Sequence, residues 1–424
     1  MSKAYDSVNF ELFQKSLHRL QMPQQLINIL LNILSNRTNR VITNLGLTNF
    51  YSVKNGIDQG ETITPLFWRI YYDPLISYIS SNFSGYTLST SWQTCLTLPS
   101  FTHHHTSLSV LAYMDDTIWI TQSKEELNKI INTATSFYNM ANIQVNPSKS
   151  ILISKHPSAS ISFMNSNLLS IPTHQPFKFL GCWFTLNNKQ SQQIKLIQDE
   201  ALQLVNIANT KTITDKQISY IINTVIIPTT EYRIQNIVIP LSTCNKMLGK
   251  YLTIAKHKSH LSRSTPNSTM LNHNLYNIHS LWDIQLQHHI NNFLNRINNT
   301  STLGLTTRIR LQQLQNNLWS ATNILQHPNS LIDGPNRHTT TFKIIQLFNS
   351  LNISITSNHN LAWPQTISGG SLPLENILSQ HPNYHTFKQQ LRHKKILFLE
   401  QLCSANNNVL LDWSHLSPRL FHIP

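Results

Sequence analysis

The chain has 424 residues, 40% of them hydrophobic, with 32 Lys and Arg against 18 Asp and Glu. The length suggests two or three domains of roughly 150 residues each, and the apolar fraction supports buried cores, which excludes a wholly disordered chain. A net charge of +14 attracts phosphate backbones and releases their counterions on binding, the alternative being a basic protein with no polyanionic partner.

After a short extended start, Phe10, Phe13, Leu17 and Leu20 recur at helical spacing. Pro23 can open a second helix that carries Leu26, Ile29, Leu30 and Ile33. Residues 39–45 and 48–53 read as a strand pair turning near Gly46, and a helix starts near Thr64-Pro65, with Pro74 marking a kink or an end. Residues 84–108, rich in Ser, Thr and His, read as a loop insertion. Within it, His103, His104 and His105 invite a metal reading, against which stands the alternation of adjacent side chains in an extended segment.

Next comes a hairpin, with Val110, Ala112, Ile118 and Ile120 alternating about a tight Asp115-Asp116 turn. Ser123 and Glu126 have capping-box spacing and open a helix to about Ala141, followed by strands at 150–154 and 177–185. This α-β-β-α-β order predicts an α+β palm-like layer, with a sheet backed by helices, and not a doubly wound sheet. Beyond Asn187 the pattern turns helical, near 190–209, 214–227 and 241–262. Residues 263–424 show short helical segments between polar, Pro-punctuated stretches such as Ser264-Thr265-Pro266 and His327-Pro328-Asn329.

The four cysteines, Cys95, Cys182, Cys244 and Cys403, lie far apart, which argues against a disulfide framework or a zinc ribbon. No apolar run reaches the roughly 18 residues of a membrane span, and residues 1–10 lack a signal-peptide core. A soluble intracellular protein, in nucleus or cytoplasm, is expected.

The chemistry centres on Tyr113-Met114-Asp115-Asp116. Two adjacent carboxylates at a hairpin tip repel unless a cation sits there. A pair of Mg²⁺ ions supplies that reason in nucleotidyl transfer, where carboxylates hold two metals about 4 Å apart. The plain alternative is an Asp-Asp turn, since Asp favours turns.

The surrounding motifs decide between them. Ser2-Lys3-Ala4-Tyr5-Asp6-Ser7-Val8, Gly56-Ile57-Asp58-Gln59-Gly60 with Thr64-Pro65-Leu66, the Tyr113–Asp116 tetrapeptide, Asn146-Pro147-Ser148-Lys149 and Phe179-Leu180-Gly181 stand in the order of the palm motifs of reverse transcriptases. The chain most closely resembles the non-LTR (LINE-type) retrotransposon polymerases, from residue 1 to about 185.

The resemblance implies a right-hand polymerase palm over 1–187, an antiparallel sheet with helices on one face. A helical thumb over 188–262 and a helical C-terminal region over 263–424 would follow. It implies Asp115 and Asp116 as ligands of two Mg²⁺ ions, with Mn²⁺ as the alternative metal. Tyr5 would be the steric gate against a ribose 2′-hydroxyl, and Gln59 and Gly60, with Tyr113 and Met114, would line the template and nucleotide pocket. Lys149 would meet the leaving pyrophosphate, and Phe179, Leu180 and Gly181 would grip the primer. Partners would be an RNA template, a DNA primer and dNTPs, with no membrane.

Three departures from the family pattern are expected to matter. The first-motif metal-binding Asp would fall one position before Met1, and Asp6 is not that acid. The fingers and the endonuclease of such polymerases are missing from these 424 residues, and with one of three metal-binding carboxylates gone an inactive or nearly inactive fragment is expected. Asp58 and Glu61 stand where relatives often carry a basic and a small residue. A non-catalytic nucleic-acid-binding remnant is the alternative, ahead of a maturase. An RNase H tail is rejected, because Asp283, Asp333, Glu375, Glu400 and Asp412 show no metal-cluster spacing.

Overall fold

The computed structural model describes residues 4–93, 101–187, 190–321, 324–325, 339–353, 355 and 372–403. Ser2, Lys3, Cys95, Asp333, Asp412 and the His327–Asn329 stretch lie outside them. Two compact units emerge, Met1–Thr87 with Ser107–Thr173, and Leu88–Thr106 with His174–Pro424.

In the first unit the expected extended start is a 3₁₀ turn, Tyr5–Ser7, closed by Ser7 Oγ donating to Ala4 O at 2.6 Å. Helices α1 (Phe10–Arg19) and α2 (Gln24–Ser35) follow. The Asn9 side chain caps α1, and Pro23 stands just before α2. The strand pair between them and the next helix is four short pieces, β1 (Thr38–Asn39), β2 (Ile42–Thr43), β3 (Gly46–Leu47) and β4 (Tyr51–Ser52), with β1 paired to β4 and β2 to β3.

Helix α3 spans Thr64–Asn82 and runs through Pro74 rather than ending there. The missing proline N–H costs one backbone bond. Tyr71, Tyr72, Leu75 and Ile79, on both sides of Pro74, are buried, and that apolar burial holds the helix together.

Residues 84–108 are not a loop. They form two eight-residue strands, β5 (Tyr86–Gln93) and β6 (Phe101–Leu108), paired in one sheet. Composition misleads here while period does not: Leu88, Thr90 and Trp92 are buried, and Ser89 between them is exposed.

Strands β7 (Val110–Tyr113) and β8 (Asp116–Trp119) pair antiparallel, with Tyr113 opposite Asp116. Helix α4 (Lys124–Met140) opens on Ser123 Oγ, which accepts from Glu126 N. The capping box is only half formed, because the Glu126 carboxylate accepts instead from Gly85 N at 3.0 Å and Ser84 Oγ at 3.2 Å.

Three more strands, β9 (Leu152–Ile153), β10 (Ser160–Phe163) and β11 (Ser166–Ile171), make a sheet ordered β10-β11-β9. Its β11–β9 pair is parallel. The class is α+β, yet the described strands lie in separate small sheets rather than one antiparallel layer. A core from α1 to α4, Val110, Ile161 and Phe163 joins these pieces.

The second unit, which also holds Leu88–Thr106, resumes at His174 and continues with β12 (Phe177–Phe179) and β13 (Cys182–Phe184). No strand follows among the described residues, apart from an isolated bridge of Pro373 with Phe398. Helix α5 (Ser191–Thr210) leads to α6 (Asp215–Ile221), a π-helical turn over Ile222–Ile226 and α7 (Ile227–Arg233). The widened turn precedes Pro228, which has no N–H for a regular ladder. Helix α8 (Leu241–Lys258) packs on these through Cys244, Met247, Tyr251 and Leu252.

The C-terminal segments are longer than the sequence suggests. After α9 (Asn267–Leu271), α10 spans Leu281–Asn298 and α11 spans Thr302–Leu318. Their period is masked because Gln285, His289, Arg308, Gln312 and Gln315 occupy buried positions. Each polar group needs a partner there, and Gln285 finds two, accepting from Ile239 N at 2.8 Å and donating to Ile239 O at 3.0 Å. Shorter helices α12 (Thr340–Ser350), α13 (Leu374–Leu378) and α14 (Tyr384–His393) complete the described chain.

Candidate active site

The β7–β8 register leaves Met114 and Asp115 as the two central residues of the turn. Met114 takes φ 55, a left-handed conformation that costs a non-glycine residue about 1–2 kcal/mol. Asp116, on the first rung of β8, is exposed, and Asp115 is half-buried. The two hard carboxylates at one tip suit a hard oxygen-seeking cation such as Mg²⁺. Among the described residues no group of three or more His, Cys, Asp or Glu side chains could hold a metal.

The turn is fastened through its flanks. Tyr5 Oη donates to Met114 Sδ at 3.8 Å, so the first motif meets the third. Beneath, Tyr72 Oη is hydrogen-bonded to Thr117 Oγ1 at 3.1 Å and to Tyr138 Oη at 2.8 Å, joining β8 to α3 and α4. Trp68 stacks on Tyr72 at 5.5 Å and meets Tyr5 at 5.9 Å. Burial is the main cause that pushes the Tyr72 phenol up to about 12, and it raises Tyr138 well above its ordinary value. Both phenols are therefore neutral hydrogen-bonding struts at physiological pH. The sequence reading passed over Trp68, Tyr72 and Tyr138, whose only signal was a buried helix face.

The second motif is tied to the first by backbone. Gly56 N donates to Val8 O at 2.8 Å and Ile57 N to Tyr5 O at 3.0 Å. Gly56 has φ 86, and a Cβ there would stand 3.1–3.2 Å from backbone atoms of Asp6 and Tyr5, so the close approach requires glycine. Gly60, at φ 101, has open space where a Cβ would be, and its requirement is conformational alone. Gln59 and Gly60 are exposed.

Asp58 is not an unbalanced acid. Its carboxylate pairs with Arg37 Nη1 at 2.5 Å, and Arg37 also donates to Leu34 O and Gly56 O. Asp6 is exposed on the 3₁₀ turn. Lys149 ends a 3₁₀ turn over Pro147–Lys149 that Asn146 caps through Ser148 N at 3.0 Å, and its side chain is exposed.

Phe179, Leu180 and Gly181 belong to the second unit. Leu180 (φ 46) and Gly181 (φ 79) form the two-residue turn between β12 and β13, both left-handed as a tight hairpin prefers. Tyr232 Oη donates to Leu180 O at 2.5 Å and Arg233 Nη1 to Gly181 O at 3.1 Å. Arg233 and Lys178 share the carboxylate of Glu200.

The acid-tipped hairpin is thus braced by aromatic helices and bonded to the turn that holds Tyr5, and comparisons of the sequence show which proteins it resembles. Residues 1–184 match the family described as reverse transcriptase (RNA-dependent DNA polymerase). Over those 184 residues the chain is therefore similar to reverse transcriptases. It is similar to the Retrovirus-related Pol polyprotein from type-1 retrotransposable element R2 of Popillia japonica, 22% identical over 276 residues. That match covers 62% of this chain and 36% of the relative, so the chain spans little more than a third of that protein's length.

Proposed function

We propose that the chain is the polymerase portion of a retrotransposon reverse transcriptase, adding dNTPs to a DNA primer 3′-hydroxyl on an RNA template. The observation that carries this reading is the Met114–Asp115 turn, with its adjacent acids at the tip and Tyr5 against Met114. In this reading residues 1–187 are the palm, 188–262 the thumb, and 263–424 a helical region of unassigned role.

Asp115 and Asp116 would hold two Mg²⁺ ions, or Mn²⁺, whose chemistry there would be to activate the 3′-hydroxyl and steady the pyrophosphate. The Tyr5 ring, fixed by Trp68 and Met114, excludes a ribose 2′-hydroxyl. Gln59, Gly60, Tyr113 and Met114 line the path of template and incoming nucleotide. The Lys149 ammonium stabilises or protonates the leaving pyrophosphate. Phe179, Leu180 and Gly181 hold the primer end, and the turn fixed by Tyr232 and Arg233 gives that grip a defined backbone. The net charge of +14 supports a nucleic-acid partner. No helix among the described residues is long and apolar enough to cross a membrane.

Residues 1–424 contribute two of the three carboxylates that the reaction uses, so this span assayed alone is expected to be inactive. The test is Mg²⁺-dependent dNTP incorporation on a primed RNA template. It compares the span with one extended upstream through a complete first motif and fingers, and Asp115→Asn serves as the control. Incorporation by the extended form alone, abolished by Asp115→Asn, supports the reading. Salt-dependent nucleic-acid binding with no incorporation by either form transfers it to a non-catalytic binding remnant.

A further inference from the structure

We propose that His103 and His105 form a surface site for a divalent transition-metal ion of the zinc class, separate from the Asp115–Asp116 turn. The three consecutive histidines divide between the faces of β6 as a strand requires. His104 turns inward, edge-on to Trp92 at 5.3 Å and hydrogen-bonded to Gln312 Oε1 at 3.1 Å. His103 and His105 share the other face, both exposed, with ring centroids 5.2 Å apart and planes tilted by 31°.

That spacing is what a shared ion demands. Zn–N bonds of about 2.0–2.1 Å put each ring centre about 3.2 Å from the metal, and a tetrahedral angle then sets the two centres about 5 Å apart. Imidazole nitrogen suits zinc, copper and nickel and is a poor ligand for Mg²⁺, which takes oxygen. The donor chemistry therefore keeps the two kinds of ion on different sites. Among the described residues no third His, Cys, Asp or Glu completes the pair, so water fills the remaining positions.

The strand is held before any metal arrives. On its partner β5, Ser89 O accepts from Gln313 Nε2 at 2.7 Å and Ser91 Oγ from Lys395 Nζ at 3.1 Å. Two ligands projecting from a fixed strand bind with less ordering cost than the same pair on a free loop.

The experiment is calorimetric titration of Zn²⁺ into the 424-residue chain in excess Mg²⁺, which occupies carboxylate sites. One Zn²⁺ site is expected whose affinity falls at least tenfold in His103→Ala and in His105→Ala. His18→Ala, at an exposed histidine elsewhere, leaves it unchanged. Ser107 is exposed on the same face as His105. Ser107→His in a His103→Asn background rebuilds a pair two residues apart and is expected to restore the affinity, which separates ligand loss from damage to the fold. A doubly substituted His103→Ala, His105→Ala chain that keeps the wild-type affinity overturns the proposal, as does failure of the rebuilt pair.

Discussion

The two units each close a hairpin with a two-residue turn, and they hold those turns in opposite ways. The Met114–Asp115 turn is secured from its flanks, by Tyr5 on Met114 and Tyr72 on Thr117, with the carboxylate of Asp116 left toward solvent. The Leu180–Gly181 turn is secured at its tip, by Tyr232 and Arg233 on the two turn carbonyls. Bracing from the flanks suits the proposed role of receiving ions at the tip, whereas a turn that supplies shape can have its own carbonyls occupied.

The contrast between units is sharpest in acid. Burial lowers His289 to about 4 from its ordinary 6.5, so the unfolded chain takes up that proton first as pH falls. Its contribution is whole above pH 6.5 and is lost toward pH 4, a change of about 3 kcal/mol. Urea unfolding followed by proteolysis is expected to show α10 peptides failing before α3 and α4 peptides at low pH, and His289→Gln should flatten that dependence. The reverse order breaks the contrast. Alkali separates the units poorly, because Tyr72 and Tyr251 are both raised to about 12. Each contributes fully below pH 10 and loses its contribution as pH rises to about 12.

Next in size is Gly181→Ala. Its φ of 79 disfavours any side chain, and the new Cβ would meet Tyr232 Cε1 at 2.9 Å. A loss of about 2 kcal/mol is expected in denaturant unfolding. Tyr72→Phe is expected to cost about 1.5 kcal/mol, because buried Tyr138 loses a partner. In an active, upstream-extended form it should also lower incorporation by loosening Thr117 beneath the acids. Smallest is Tyr232→Phe, about 1 kcal/mol, since the ring and the Arg233 bond remain. A larger loss from Tyr232→Phe than from Gly181→Ala would show that the tip bond, not the backbone conformation, defines that turn.

Much of the first unit was legible because its signals are local. The alternation around Asp115 and the Ser123 cap each fix a few neighbouring dihedrals. The β5–β6 pair is hidden by its Ser- and Thr-rich composition, although Leu88, Thr90 and Trp92 keep period two. Helices α10 and α11 were shortened because buried glutamines read as surface.

The sequence by itself determined the order of the motifs and the acid-tipped turn, since these depend on residue type and spacing along the chain. Only the tertiary structure decided that Arg37 neutralises Asp58, that Tyr72 and Tyr138 brace the turn, and that Tyr232 and Arg233 fix the second hairpin. Those pairings join residues 21 to 66 positions apart, and tertiary packing rather than local propensity selects them. No local pattern in the chain encodes which buried polar group will find which partner.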